Sequence, residues 1–445
     1  MTAPGLIIAA AASGSGKTVF TLALLRALKR RALRIASAKV GPDYIDPAFH
    51  AAASGRPCLN LDGWAMRPAF LARQVQDMGR TAELVVCEGV MGLFDGANVE
   101  TGVSDGSTAD LAARTGWPVI LLLDLRRQAA SAAAVVEGFR RHRPDVHIAG
   151  VVFNQVAGDA HRAMVARACH ATCPDLPLLG WLPRTPLFAL PERHLGLVQA
   201  GETEDLEARL DAVAGLIEEH VDVDGLIGLA LSSPLSGDAT SSAWPVPPLG
   251  QRIAVARDEA FAFAYPAVLE GWRKAGAEVS FFSPLADEAP PEDADAVYLP
   301  GGYPELHAAR LAAASRFLSG LRRLAGLGGC VYGECGGYMT LGEILEDRDG
   351  RPHVMAGLLP VSTSFARRRL HLGYRQCRLA GPTALGPAGA AFRGHEFHYA
   401  TIVRQSSAQP LFHAADAQGR SLESAGQISG TVFGSFLHLI DRDGD

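Results

Sequence analysis

A short apolar run, Leu6–Ala10, leads straight into Ala-Ala-Ser-Gly-Ser-Gly-Lys-Thr at positions 11–18, and a helical stretch follows at once. This is the pattern G-x-x-x-x-G-K-[ST] with Ala11 in place of the first glycine. No other feature restricts the fold as strongly. A strand, a glycine turn and a helix in that order point backbone N–H groups and the positive helix end at one spot, which makes a phosphate cradle. The predicted cradle is Ser13, Gly14, Ser15 and Gly16, with Lys17 reaching the outer phosphates of a nucleotide and Thr18 holding Mg2+. Lysine occurs only at positions 17, 29, 39 and 274, the other basic residues being arginine, so a lysine inside a motif stands out.

The rest of the first half keeps the same rhythm. Apolar runs at Arg34–Lys39, Leu84–Cys87, Pro118–Leu123 and Ile148–Phe153 alternate with helical stretches such as Thr18–Arg31 and Thr108–Thr115. Continuous apolar strands between helices indicate a parallel sheet covered on both faces. The second half repeats the style at Arg252–Ala256, Glu278–Phe282, Ala296–Leu299 and Gly329–Tyr332. Between them, Ser232–Gly250 is rich in Ser, Pro and Gly and has no hydrophobic period. A chain of 445 residues is long for one domain, so the expected division is 1–231, a linker at 232–250, and 251–445. Both halves read as open α/β folds, with ligands at the carboxyl ends of the strands.

Four acids lie at such ends in the first half. Glu88 closes the run LVVC, Asp43 and Asp46 follow the second strand in KVGPDYIDP, and Asp95 lies in GLFDG. Magnesium takes hard oxygen ligands, so Thr18, Asp43 and Glu88 are the candidate metal set. Asn154 ends the run IAGVVF and is assigned either to the nucleotide base or to a cap. Extra carboxylates opposite a magnesium-nucleotide site suit activation of a carboxyl substrate as an acyl phosphate.

A second site is written into GGCVYGECGGYMTLGE, residues 328–343. An apolar strand runs into Gly-Glu-Cys-Gly-Gly and then a helix, an elbow with cysteine as nucleophile. Cys335 is expected on a strained turn, with its thiol pKa lowered by the helix N-terminus. Gly301 and Gly302 of LPGGYPE, with the amide of Gly336, are the candidate oxyanion hole. His438, in GSFLHLID, is the candidate base. The motif GHEFHY at 394–399 brings its second histidine one residue too early for a metalloprotease helix and is read as structural or substrate-lining.

Composition excludes several classes. A net charge of -6 argues against a nucleic-acid binder that relies on a broad basic surface. No segment has the roughly 18 continuous apolar residues of a membrane span. Seven scattered cysteines suit a reducing cytoplasm better than a disulfide framework, and Cys169 and Cys173 lack a second ligand pair for zinc.

Taken together, KVGPDYIDP, CEGVMGLFDG, LPERHLGL (190–197), LPGGYPE and GECGGYM resemble the cobyrinic and hydrogenobyrinic acid a,c-diamide synthase family of cobalamin biosynthesis. The resemblance implies a P-loop domain like dethiobiotin synthetase, followed by a flavodoxin-like class I glutamine amidotransferase domain. It implies that Cys335 and His438 hydrolyse glutamine and that Lys17, Thr18, Asp43 and Glu88 handle magnesium-ATP. Carboxylates of a corrinoid would be amidated, with Tyr44, Ile45, Asp46 and Asp95 facing the ring; a homodimer is compatible with this. Two departures stand out. Ile440 occupies the place where many class I amidotransferases carry an acid, which leaves Asp441, Glu396 or no acid to orient His438. Ala12 stands where partition ATPases carry an extra lysine. The alternatives are an amidoligase on cobyric acid or nickel-sirohydrochlorin, and a partition-type ATPase switch with an inactive amidotransferase part. CTP synthase normally carries HPE around the base, where this chain reads HLI.

Overall fold

The computed structural model describes residues 3–100, 102–188, 192–193, 196–235 and 244–444. Two compact units divide the chain. Unit one holds Met1–Trp64, Leu71–Ala97 and Gly102–Ala239; unit two holds Thr240–Asp445 together with Ala65–Phe70 and Asn98–Thr101. The sequence boundary therefore misses two short stretches of the first half that group with the second.

Unit one is a parallel sheet with its cradle at the centre. Its strands are β1 (Pro4–Ala10), β2 (Ile35–Val40), β3 (Cys58–Leu61), β4 (Leu84–Glu88), β5 (Val119–Asp124), β6 (Ile148–Val156) and β7 (Leu178–Pro183). They pair in the order β3-β2-β4-β1-β5-β6-β7, every one of these pairs parallel. β1 and β4 are buried almost throughout, as expected of strands covered on both faces. The order places β1 between β4 and β5, so the loop after β1 opens beside the ends of both neighbours. Helix α1 (Lys17–Arg30) follows, and it too is buried on nearly every side. Ion pairs from Arg26 to Glu207 and Asp211 tie it to helix Leu206–His220.

The expected linker is anchored at both ends. Ser232 pairs with Pro4 of β1, and Trp272 donates its indole N–H to the carbonyls of Val246 and Pro247. Val246 and Leu249 are buried, because apolar side chains in an otherwise polar stretch still gain from leaving water. Residues 236–243 of that stretch lie outside the described residues, as do positions 190, 191, 194 and 195 of LPERHLGL.

Unit two also has a parallel core. Its six-stranded sheet runs Glu278–Phe282, Arg252–Ala256, Ala296–Leu299, Cys330–Glu334, Val432–Ser435 and Gln427–Ser429, the last strand antiparallel. Two further four-stranded sheets were not legible in the sequence. One comprises Pro352–Val354, Ile344–Glu346, Val361–Ser364 and Thr401–Gln405; the other comprises Phe412–Ala415, His371–Leu379, Ala391–His398 and Leu437–Arg442. Their longest strand, HLGYRQCRL, is polar and only half-buried, so it carries no apolar run to detect.

Two glycines show how tightly elements are set. A Cβ on Gly337 would lie 1.9 Å from the Leu299 carbonyl oxygen, so the helix after Cys335 abuts strand Ala296–Leu299 through bare backbone. A Cβ on Gly138, inside helix Ala132–His142, would meet nothing within 4 Å. Gly337→Ala should therefore cost about 3 kcal/mol or more, whereas Gly138→Ala should add about 0.5–1 kcal/mol. Denaturant unfolding of the two variants checks this, and equal effects would contradict it.

Candidate functional site

The first constellation lies at the carboxyl ends of β1, β2 and β4. Gly14 and Gly16 have φ of +72° and +89°, the left-handed backbone that the tight turn demands. Asn154, near the end of β6, donates from Nδ2 to the Ser15 carbonyl at 2.8 Å, and its Oδ1 accepts the Gln155 amide at 2.9 Å. A Cβ on Gly16 would sit 2.5 Å from that Nδ2, so Asn154 braces the loop from below. Arg126 holds the other side, donating to the Gly14 carbonyl at 3.0 Å. Gly14, Ser15, Gly16, Arg126, Asn154 and Gln155 line one cavity. Lys17 folds back onto the carbonyls of Met91 and Ala12. Burial, with the neighbouring charge of Lys39, lowers its pKa to about 8.

Beside the cradle the structure gathers Thr18, Asp46, Glu88 and a residue the sequence reading did not assign, Lys39. Thr18 Oγ1 lies 2.7 Å from Glu88 and 3.3 Å from Asp46. Lys39 Nζ lies 2.6 Å from Asp46 and 2.8 Å from Glu88. Glu88 is fully buried, and its second oxygen meets His50 at 2.7 Å. Burial would discourage its charge, but the ammonium of Lys39 and the His50 contact outweigh that and hold Glu88 well below the usual carboxylate range. Asp46 goes the other way: burial and the nearby Asp43 carboxylate push it up to about 7 against the pull of Lys39.

Asp43 is placed differently. Its Oδ1 accepts the amides of Ile45 and Asp46 at 2.7 and 3.2 Å and caps helix α2 (Ile45–Ser54). Asn60 fixes the same turn by donating to the carbonyls of Gly41 and Asp43. Of the residues expected at the substrate, Tyr44 precedes α2, Ile45 is buried as its first residue, Asp46 joins the Lys39 cluster, and Asp95 accepts the Gly92 amide of its own loop at 2.8 Å. A hydroxyl and two carboxylates around one point are hard oxygen donors and fit magnesium. Lys39 was traceable in the sequence, because it is one of only four lysines and stands at a strand end.

The second constellation lies in unit two. Cys335 adopts φ 47° and ψ −102°, a strained elbow, immediately after strand Cys330–Glu334. Its amide donates to the Ser435 carbonyl at 2.8 Å, and Ser435 Oγ accepts the Leu437 amide at 3.1 Å. One residue thus ties the elbow to the strand that carries His438, Leu437–Arg442. Cys335 and His438 converge on Gly301: a Cβ there would be 2.5 Å from His438 Cε1 and 3.4 Å from Cys335 Cβ. A Cβ on Gly336 would sit 3.1 Å from the Gly302 amide nitrogen, so the two glycines lie next to each other. The expected drop in thiol pKa is not found. Burial, reinforced by Glu305, pushes the Cys335 thiol far above its usual range, and the Gly336 amide compensates only in part. In GHEFHY, His395 stacks on His438 with centroids 4.8 Å apart, and Glu396 joins Arg375 and His398.

The comparisons agree with this geometry. Residues 6–198 match the CobQ/CobB/MinD/ParA nucleotide binding domain, and residues 252–444 match the CobB/CobQ-like glutamine amidotransferase domain. Hydrogenobyrinate a,c-diamide synthase of Brucella suis biovar 1 (strain 1330) is 54% identical over 442 residues, covering 99% of both chains. Its counterpart in Rhodobacter capsulatus is 53% identical over 437 residues, covering 98% of both. Among solved structures, chloroplast FtsY from Physcomitrella patens aligns at TM-score 0.32 and 16% identity, over 48% of this chain and 66% of its own, which is too loose to define a fold.

Lys39 yields a prediction. Removing one partner of a buried ionic cluster leaves the other charges uncompensated, at a cost of about 3–5 kcal/mol. Lys39→Met should lower the melting temperature of the nucleotide-free protein, and added magnesium should restore part of it. Unchanged melting would contradict the charge balance described here.

Two motifs at the ends of two parallel sheets, joined in one chain in this order and shared end to end with these relatives, place the chain in the hydrogenobyrinate a,c-diamide synthase family.

Proposed function

We propose that the chain amidates the a and c acetate carboxylates of hydrogenobyrinate, using ATP and the ammonia of glutamine, in cobalamin biosynthesis. The observation that carries this reading is end-to-end identity above half with synthases of that name. The division of labour follows the two constellations, with domains at 1–231 and 251–445 and a connection at 232–250. Unpaired thiols at all seven cysteines support a reducing compartment, and we place the enzyme in the cytoplasm.

In the first domain, the loop amides of Ser13–Gly16 and Lys17 bind the phosphates of ATP. Thr18, Glu88 and Asp46, with Asp43 nearby, hold magnesium, which when bound neutralises charge on the phosphates. An acetate carboxylate of the corrin attacks the γ-phosphorus; the bond to ADP breaks and an acyl phosphate forms. Ammonia then attacks the acyl carbon, and phosphate leaves with the C–O electron pair. Tyr44 and Asp95 in their loops, and Ile45 and Asp46 at the start of α2, lie beside this site and are assigned to the ring. Asn154 and Arg126 keep the cradle in shape, so the nucleotide meets a site already formed.

In the second domain, the resting thiol is neutral, so its proton must be taken as it attacks. His438 accepts it while the sulfur bonds to the carboxamide carbon of glutamine. The oxygen that becomes negative is received by the amides of Gly302 and Gly336 beside Gly301. His438 returns the proton to the nitrogen, the C–N bond breaks, and ammonia leaves. Water, with His438 as base, hydrolyses the thioester to glutamate.

Two experiments test this. Mass spectrometry should show hydrogenobyrinate gaining two amides with ATP and glutamine, faster than cobyrinate does; no amide on either would overturn the substrate. Lys17→Ala should abolish synthesis with glutamine and with ammonium alike, since activation precedes attack by ammonia. Full ammonium-dependent activity in that variant would remove the cradle from the mechanism.

A further inference from the structure

The two acids that the sequence offered for His438, Asp441 and Glu396, have other partners. Asp441 accepts the Arg67 amide at 2.8 Å and two guanidinium N–H groups of Arg67 at 3.0–3.1 Å. Glu396 is bound by Arg375 at 2.6 Å and by His398 at 3.0 Å. The residue two places after the histidine is a buried isoleucine, Ile440. None of these is left to orient the imidazole.

Glu334 is placed to do so. It directly precedes the nucleophile and is only 3% exposed. Its Oε2 lies 3.7 Å from His438 Nδ1. Three donors fix the carboxylate: Tyr298 O–H to Oε2 at 2.7 Å, Tyr332 O–H to Oε1 at 2.8 Å, and the Leu439 amide to Oε1 at 3.1 Å. All three are neutral, whereas Asp441 and Glu396 are each paired with an arginine. A carboxylate held by neutral donors keeps its attraction for an imidazolium. Because Nδ1 faces Glu334, Nε2 is the nitrogen left for the thiol. The other ring beside His438 is His395, fixed by the Tyr265 hydroxyl at 2.8 Å. Burial and the proximity of His438 keep His395 neutral, so it places no second cation against the imidazolium. Glu305, Glu334 and Glu396 all act on the thiol of Cys335, with Glu305 the strongest of the three.

We infer that Glu334 is the positioning residue of the amidotransferase site, holding His438 Nδ1–H and stabilising the imidazolium formed when Nε2 takes the Cys335 proton. In that step the S–H bond breaks, the sulfur pair forms the bond to the carboxamide carbon, and the carbonyl π pair moves to oxygen. The placement is unlike an acid two residues beyond the histidine: base and orienting group lie on strands of two different sheets, Leu437–Arg442 and Cys330–Glu334, and the acid directly precedes the nucleophile in the chain. This rests on the reading that Cys335 hydrolyses glutamine.

The test uses the full-length chain and measures glutamine hydrolysis as a function of pH. Glu334→Gln should lower kcat by about 100-fold or more while KM for glutamine changes by less than about threefold. The acid limb of kcat/KM should move to lower pH, because the imidazolium loses its anion. Glu334→Asp should recover part of the rate. Tyr298→Phe is the second variant: it keeps the carboxylate but removes a donor, which should make the carboxylate more basic and move the acid limb to higher pH. Wild-type kcat with an unmoved acid limb in Glu334→Gln would overturn the inference; should that variant not fold, an unmoved limb in Tyr298→Phe would do the same. Glutamine hydrolysis surviving in Cys335→Ala would instead overturn the reading on which the inference rests.

Discussion

One buried ammonium balances the charge at the end of the first sheet. Lys39 meets both Asp46 and Glu88, and Glu88 in turn meets Thr18 and His50. These residues come from β2, α2, β4 and α1, so a single cluster fixes where four elements end relative to the cradle. Two carboxylates this deeply buried would repel each other without a cation and would bind protons instead. Lys39 keeps Glu88 charged and available. The same arrangement suits the proposed binding of magnesium and the phosphates of ATP, since oxygen donors are already assembled there.

The second unit follows the opposite electrostatic rule. Its nucleophile rests as a neutral thiol because burial outweighs the single amide that favours thiolate. In the proposed mechanism, attack on glutamine adds an imidazolium on one side and an oxyanion on the other. Both are met by groups already in place: neutral amides at Gly302 and Gly336, and a carboxylate at Glu334 steadied by two phenols. A neutral resting site protects a buried cysteine from oxidation, since the thiolate is the form that reacts. The first sheet ends at a cluster of charged groups and the second at a neutral thiol, although both place these groups just beyond a parallel strand.

Much of this was legible in the residues. The strand, glycine turn and Lys-Thr of 11–18 and the Gly-Glu-Cys-Gly-Gly of 333–337 are local patterns, and local backbone requirements survive in sequence. What escaped were relations across strands. Asp46 and Asp43 sit three residues apart, and only the fold shows that Asp46 turns to Lys39 while Asp43 caps a helix. Glu334 stood in plain view beside Cys335, yet its bearing on His438 depends on strands far apart in the chain. The lowered thiol pKa was expected from a helix N-terminus and failed because burial is a tertiary quantity. The extra sheets of the second unit were missed because half-buried polar strands such as HLGYRQCRL have no apolar period.

The central claim is that two chemically independent sites share one chain, ammonia being a product of one and a reactant of the other. Diamide formation by Cys335→Ala, measured side by side with glutamine and with a high concentration of ammonium salt, tests it most directly. The account predicts no product with glutamine and near-normal product with ammonium, with ATP consumed in step with the amides formed. Loss of ammonium-dependent synthesis in a folded Cys335→Ala protein, or undiminished use of glutamine, would contradict it.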